Sequence, residues 1–300
     1  MERNLRIDYF RLILCLLVIP IHTQPLFAED SLVGWFISNG VSRIAIPCFF
    51  IISGYLAYTK LDNIKSVRKH LLHLFVVYIV WSLIYLPTYY GNVEPHSFIT
   101  FVLFGYYHLW FLPALIVGLL LLFVVRKYIK NTTIILLSGI VLYIAGYIME
   151  NLSLPYRSFC NGIFFGYPFI VLGYYIQQKN IHNILKYKYL YPAVFISVML
   201  LFIESYNGYI ANFYHNIFLS LYILCPLLLI CILKGAKYKE SKNHIAKISA
   251  GIYYIHILVI TQVVTLADSY NISRIPLIIA ISILFAIFIV IINKWIKVIL

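Results

Sequence analysis

The sequence predicts an all-α fold, a polytopic membrane helical bundle of about ten transmembrane helices that forms one domain over residues 1–300. Three observations lead there. Hydrophobic residues make up 63% of the 300 and charged residues 11%, with a mean hydropathy of +0.91. Soluble domains hold roughly 45–50% apolar and 25% charged residues, and no soluble core absorbs that difference. The apolar residues also fall in runs that match the roughly 20 residues needed to cross a hydrocarbon layer. Finally, the basic residues collect in alternate connections, as the positive-inside rule requires.

Taken in order, runs bounded by charge, Pro, Gly and Asn occur at 7–27, 37–59, 70–90, 107–125, 132–149, 160–178, 188–206, 213–233, 248–267 and 275–296. Arg3, Arg6 and Arg11 precede or open the first run, and Lys60, Lys65, Arg68 and Lys69 follow the second. Arg126, Lys127 and Lys130 follow the fourth, and Lys179, Lys186 and Lys188 the sixth. The tract from Lys234 to Lys247 follows the eighth, and Lys294 and Lys297 close the chain. In all, 20 of the 23 Lys and Arg residues lie on one side, with Arg43, Arg157 and Arg274 as exceptions. The other side carries Glu29, Asp30, Glu94, Glu150, Glu204 and Asp268. The basic side is expected to be cytoplasmic, and an even number of crossings returns both termini to it. Trp35, Tyr89, Tyr90 and Trp295 sit where an interfacial aromatic belt belongs. The first run has no small-residue cleavage pattern and is followed at once by further runs, so a retained helix is expected rather than a signal peptide.

These features exclude several classes of function. A net charge of +13 spread through short loops reports topology, not a nucleic-acid-binding face. Membrane lipids are the expected partners, and the pattern says nothing of oligomeric state. Cys15, Cys48, Cys160, Cys225 and Cys231 are scattered without metal spacing and read as packing residues.

Polar residues inside apolar runs are expensive, and they mark the candidate site. The first run holds Arg11 and His22, eleven positions apart. That is about three helical turns, roughly 16 Å, so both fall on nearly one face, which should look into the bundle. Arg11 either anchors phospholipid or joins a cavity with His22; Pro20 interrupts the helix beside that histidine. Asp8, three positions before Arg11, is placed to pair with it. In the second run Arg43, near the outer end, either contacts an anionic substrate group or snorkels. Arg68, Lys69, His70 and His73 open the third run, as a cationic patch for phosphates or as an interfacial anchor. His70 and His73 lack a third ligand by spacing, so no metal is expected. His108 and Trp110 enter the fourth run, facing either a substrate chamber or the headgroup boundary. Arg157 leads into the sixth, where Asn161 is placed to cap a helix. His256, beside Tyr253 and Tyr254 in the ninth, is a packing residue or a member of the site, and Glu204 is a weaker acid or cation-binding candidate.

The Arg11-to-His22 spacing, FFIISGY at 49–55, HLWFLPALI at 108–116 and GIYYIH ending at His256 together resemble the acyltransferase-3 family of multispanning membrane acyltransferases. The resemblance covers nearly the whole chain. Within that superfamily the sequence also resembles the membrane domain of the vancomycin-resistance serine racemases, on RIDYFRLI with IHTQPL, VSRIAIPCFFIISGY, YYHLWFLPALI, RSFCNGIFF with LGYYIQQ, and the run from Glu204 through YILCPLLLI. Those relatives add a cytoplasmic racemase domain dependent on pyridoxal phosphate. The chain stops at Leu300 without one, so neither racemization nor that cofactor is expected.

The resemblance implies a bacterial cytoplasmic-membrane enzyme that moves an acyl group, commonly acetyl from cytoplasmic acetyl-CoA, to a hydroxyl of a cell-envelope or exported glycan. It implies catalytic roles for His22 and Arg11 and donor binding by Arg68, Lys69, His70 and His73. Arg43, His108, Trp110, Arg157, Asn161 and His256 are then substrate-binding candidates. Many family members carry two arginines where this chain has His70 and His73. That departure keeps open a second expectation, a transporter of serine or another small molecule.

Overall fold

The computed structural model describes residues 4–27, 31–89, 100, 104–234, 244–270 and 274–300. Arg3, Glu29, Asp30, Tyr90, Glu94, Lys237, Lys239 and Lys242 lie outside these residues, as do most of the 91–106 connection and the side chains of Tyr89 and Asp268. Every regular element among the described residues is helical. In chain order these are α1 (Leu5–His22), α2 (Leu32–Asn39), α3 (Ala45–Ala57), α4 (Ile64–Tyr89), α5 (Phe111–Tyr128) and α6 (Thr132–Asn151). There follow α7 (Tyr167–Gln178), α8 (Tyr187–Ala211), α9 (Leu219–Lys234), α10 (His244–Tyr270) and α11 (Arg274–Ile292), with short helical turns between several of them.

Seven described helical segments are long and apolar enough to cross a membrane: Leu32–Lys60, Ile64–Thr88, Tyr107–Tyr128, Thr132–Asn151, Tyr187–Ala211, His244–Val264 and Arg274–Ile292. Length and composition thus yield seven crossings where the sequence suggests about ten. The other three expected runs are also helical, and each falls short for a physical reason. Helix α1 has 18 residues but carries Arg6, Asp8 and Arg11. The sixth run is broken by a π turn at Gly162–Gly166 before α7, and α9 has only 16 residues. Large apolar side chains point outward, among them Val141 at 64% exposure, Phe195 at 64% and Leu284 at 67%. In water such surfaces would aggregate; against lipid tails they carry no penalty.

The chain forms two compact units. One comprises residues 1–49, 187–298 and 300, and the other residues 50–186 and 299. In the first, α1 packs along α10, α10 along α11, and α8 along α9 and α2. Helices α10 and α11 approach closely because a Cβ at Gly251 would already touch Ala286. In the second, α7 packs on α5 and α6, and α4 on α5. There the segment from Phe50 onward crosses α7 at two glycines. A Cβ at Gly54 would collide with the Ile170 carbonyl, and one at Gly173 with the Ile51 carbonyl, so only glycine permits this backbone contact.

Candidate functional site

The first unit gathers the polar groups that the apolar runs make conspicuous. Asn4 caps α1 by accepting from the Arg6 N–H at 3.0 Å, and the helix continues through Pro20 to His22. Packing of α1 on α10 then sets His22 beside His256, their ring centres 5.6 Å apart and their planes tilted by 42°. His256 is fully buried, and its Nδ1 lies 2.7 Å from the Tyr253 carbonyl and 3.2 Å from that of Ile252. Both neighbours are acceptors, so Nδ1 carries the proton and donates; in the neutral ring Nε2 then offers a lone pair. His22 is half-buried, and Arg43 lies close enough to act on it electrostatically, as does His256.

Arg43 is held in place by two amides. Its Nη2 donates to Asn39 Oδ1 at 2.9 Å and its Nη1 to Asn216 Oδ1 at 3.3 Å. Asn39 in turn forms a reciprocal amide pair with Gln24, both contacts at 3.4 Å, and donates to Ser38 Oγ at 3.2 Å. Gln24, Ser38, Ser31, Gly34, Trp35, Pro25, Leu26 and Tyr214 line a pocket of about 300 Å³. Arg11 lies about 16 Å back along α1, half-buried, with buried Asp8 one turn below and Cys15 one turn above. Cys15 donates to the Ser249 carbonyl at 2.9 Å. Of the predicted residues, His22, His256 and Arg43 are therefore brought together, whereas Arg11 sits at the other end of the same helix.

The remaining predicted residues, Glu204 of the first unit apart, belong to the second unit. Asn63 caps α4, accepting from the N–H groups of Lys65 and Ser66 at 3.0 and 3.3 Å. The first turns of that helix present Arg68, Lys69 and His73 exposed and His70 half-buried, with Lys60 close enough to act on His73. His108 is buried at 3% exposure, edge-on to Tyr85 at 5.2 Å, rather than at a rim. Trp110 packs edge-on to Phe165 and Tyr156 and lines an apolar pocket of about 190 Å³ with Phe104, Pro113, Val117, Cys160 and Asn161. Asn161 accepts from the Ile163 and Phe164 N–H groups and donates to the carbonyls of Arg157 and Ser158. Its amide is thereby committed to building the π turn. Glu204 is similarly committed, accepting from the N–H groups of Leu219 and Ser220 and from the Ser220 hydroxyl at the start of α9. Arg126, in α5, pairs with Asp62 and donates to Tyr174 Oη at 3.0 Å.

Sequence reasoning missed Gln24, Asn39 and Asn216, and it read Trp35 as a belt residue where the structure ties its N–H to the Ser205 carbonyl and its ring to Tyr209 and Tyr214. The signal for Gln24 was its position two residues beyond His22, and for Asn39 its place one turn before Arg43. Asn216 lies 173 positions from the arginine that it holds, and nothing local announces it. No group of three His, Cys, Asp or Glu side chains able to hold a metal occurs among the described residues.

A multi-pass helical bundle with a histidine pair and an amide-held arginine inside one unit defines an integral membrane protein with a polar interior site. The chain belongs to the acyltransferase-3 family, whose acyltransferase domain it matches over residues 4–293. It is similar to two amino-acid racemases of Enterococcus faecalis. One is 32% identical over 58% of this chain and 28% of the relative, the other 27% identical over 86% and 41%. It is also similar to a serine/alanine racemase of Enterococcus gallinarum, 27% identical over 85% of this chain and 40% of that protein. The chain spans less than half the length of these relatives. No solved structure matches it.

Proposed function

We propose that this protein, acting as a single domain over residues 1–300, is an O-acyltransferase of the bacterial cytoplasmic membrane. It takes acetyl from cytoplasmic acetyl-CoA and places it on a hydroxyl of a cell-envelope or exported glycan. About ten crossings, with α1, α7 and α9 added to the seven longer segments, keep both termini on the basic, cytoplasmic side. The observation that carries the reading is His22 set against His256 and under the influence of Arg43, in a chain of this family. An imidazole suits proton transfer near neutral pH.

The chemistry balances in two ways. As general base, His22 takes the acceptor hydroxyl proton while the oxygen attacks the thioester carbonyl; the C–S bond breaks and the proton passes to the CoA sulfur. As relay, a His22 nitrogen attacks the thioester and the C–S bond breaks, releasing CoA thiol with the ring proton. The acceptor hydroxyl then takes the acetyl group and returns its proton to the ring. In the second unit Arg68 and Lys69 supply cations near the start of α4 for the donor phosphates, with His70 and His73 as further contacts; in the first unit Arg11 is a cation toward the cytoplasmic end of α1. Arg43 orients the acceptor and His256 sets the His22 ring; His108, Trp110 and Arg157 are further proposed substrate contacts within the second unit taken by itself.

The relatives named as amino-acid and serine/alanine racemases favour one other reading, a transporter of serine or a similar small molecule. The test that separates them uses purified protein in lipid with acetyl-CoA and an extract of its own envelope. Thioester consumption that needs both the extract and His22 is the expected result. Uptake of labelled L-serine into proteoliposomes, without thioester consumption, would select the transporter.

A further inference from the structure

The pocket of about 300 Å³ beside α2 has a lining suited to one kind of ligand. The indole N–H of Trp35 donates to the Ser205 carbonyl at 2.9 Å, and its ring packs on Tyr209 and Tyr214 at 5.7 and 4.8 Å. With its N–H committed, the indole is held rigid and presents a flat aromatic wall, which Tyr214 extends. Around that wall stand hydrogen-bonding groups without charge. Ser31 Oγ accepts from the Gly34 N–H at 3.1 Å, which leaves its hydroxyl proton to donate. The Gln24 amide has one contact on each end to Asn39, so a second hydrogen and a second lone pair remain for a ligand. Among the described residues, no charged side chain lines the pocket.

We propose that this pocket holds one uncharged, hydroxyl-bearing ring, a neutral sugar unit, against Trp35 and Tyr214, with Gln24 and Ser31 as its hydrogen-bonding partners. Its volume is at the small end of ligand sites, enough for a single ring and too small for a CoA. A free amino acid fits the described lining poorly, since none of those residues offers an opposite charge to its ammonium or carboxylate. The pocket is also wired to the histidine pair. Gln24 lies two residues past His22, and Gln24, Asn39 and Arg43 form an unbroken hydrogen-bonded series to the arginine that acts on His22. A sugar held at Gln24 therefore stands at the end of α1 that carries the reactive ring. Its role as acceptor rests on the acyl-transfer reading; its presence in the pocket does not.

The test is saturation-transfer NMR on the full chain in lipid nanodiscs, with tetra-N-acetylglucosamine as the sugar probe and L-serine as the competing small molecule. The expected result is transfer to sugar ring protons, weakened about tenfold by Gln24→Ala and by Trp35→Leu, on the scale of one lost hydrogen bond or stacking contact. Tyr214→Ala removes part of the wall from an exposed position and serves if Trp35→Leu does not fold. No sugar signal from the wild type, undiminished signal in all variants, or displacement by serine would each overturn the proposal. Sugar binding that depends on these residues in a protein that consumes no acetyl-CoA would sink acyl transfer and leave the pocket standing. Acetyl-CoA consumption with sugar binding indifferent to the variants would do the reverse.

Discussion

His22 and His256 lie 5.6 Å apart, ring centre to ring centre, where α1 packs on α10. The second ring is oriented by its own helix, through donation from Nδ1 to the Tyr253 carbonyl at 2.7 Å. It is buried completely, whereas His22 is half-buried and the more open of the two. The pair thus sets a partly buried ring at the end of α1 against a fully buried one that is held by its own helix.

Replacement of His22 should remove transfer without unfolding the chain. His22→Ala is expected to lower the turnover of acetyl-CoA in the presence of envelope extract by about 10²–10⁴-fold, the range for loss of a positioned acid–base group. Gel filtration and helical circular dichroism should match the wild type. Unchanged turnover would remove His22 from the mechanism.

His256 should act through His22 and not on substrate. His256→Gln keeps a polar side chain and is expected to lower kcat while leaving KM for the donor unchanged. The ¹⁵N spectrum of labelled His22 should shift in the same variant, which a purely structural replacement elsewhere in α10 would not cause. A donor KM that rises with kcat unchanged would place His256 on the substrate instead.

Arg43 depends on its two amide partners for direction. Arg43→Lys retains the charge but cannot bridge Asn39 and Asn216 with a planar fork, so it should lose most of the activity, and Asn39→Ala should lose part of it. If Arg43→Lys is fully active, charge alone suffices and the amide scaffold has no functional part.

Much of this architecture was legible in the sequence because lipid imposes a coarse and insistent code. Apolar runs and the alternation of basic loops foretold an all-helical, multi-pass chain, and Arg43, His22 and His256 stood out as polar groups in apolar surroundings. The number of crossings was less legible, because Arg6, Asp8 and Arg11 in α1 and the π turn before α7 blur the boundary between a span and a short helix. Functional roles were hardest where one residue type serves two ends. Asn161, legible both as a helix cap and as a substrate contact, spends its amide on the cap, and Glu204, legible as an acid or a cation site, accepts from the backbone at the start of α9. Asn216 was invisible because its partner arrives only through tertiary packing.

The cationic start of α4 should govern the donor and not the acceptor. Arg68 and Lys69 are exposed, so their attraction for phosphates is long-ranged and screened by salt. Arg68→Gln with Lys69→Gln is expected to raise KM for acetyl-CoA several-fold, leave kcat largely intact and flatten the dependence of KM on ionic strength. A fall in kcat at unchanged KM would show that the patch does something other than capture donor.

The glycine crossing between the segment after Phe50 and α7 should be intolerant of even one methyl group. In Gly54→Ala the new Cβ would lie within the Ile170 carbonyl's van der Waals radius, and in Gly173→Ala it would meet the Ile51 carbonyl and the Tyr55 N–H. Backbone on both sides leaves no flexible side chain to yield, so the helices must separate. Overpacking of this kind costs about 1–3 kcal/mol. Each variant should therefore melt at lower temperature in detergent, followed by tryptophan fluorescence. Gly34→Ala is the control, because its Cβ would meet Phe27 and Ser31 only at ordinary contact distance. If Gly54→Ala melts with the wild type while Gly34→Ala does not, the close crossing is not what holds the second unit together.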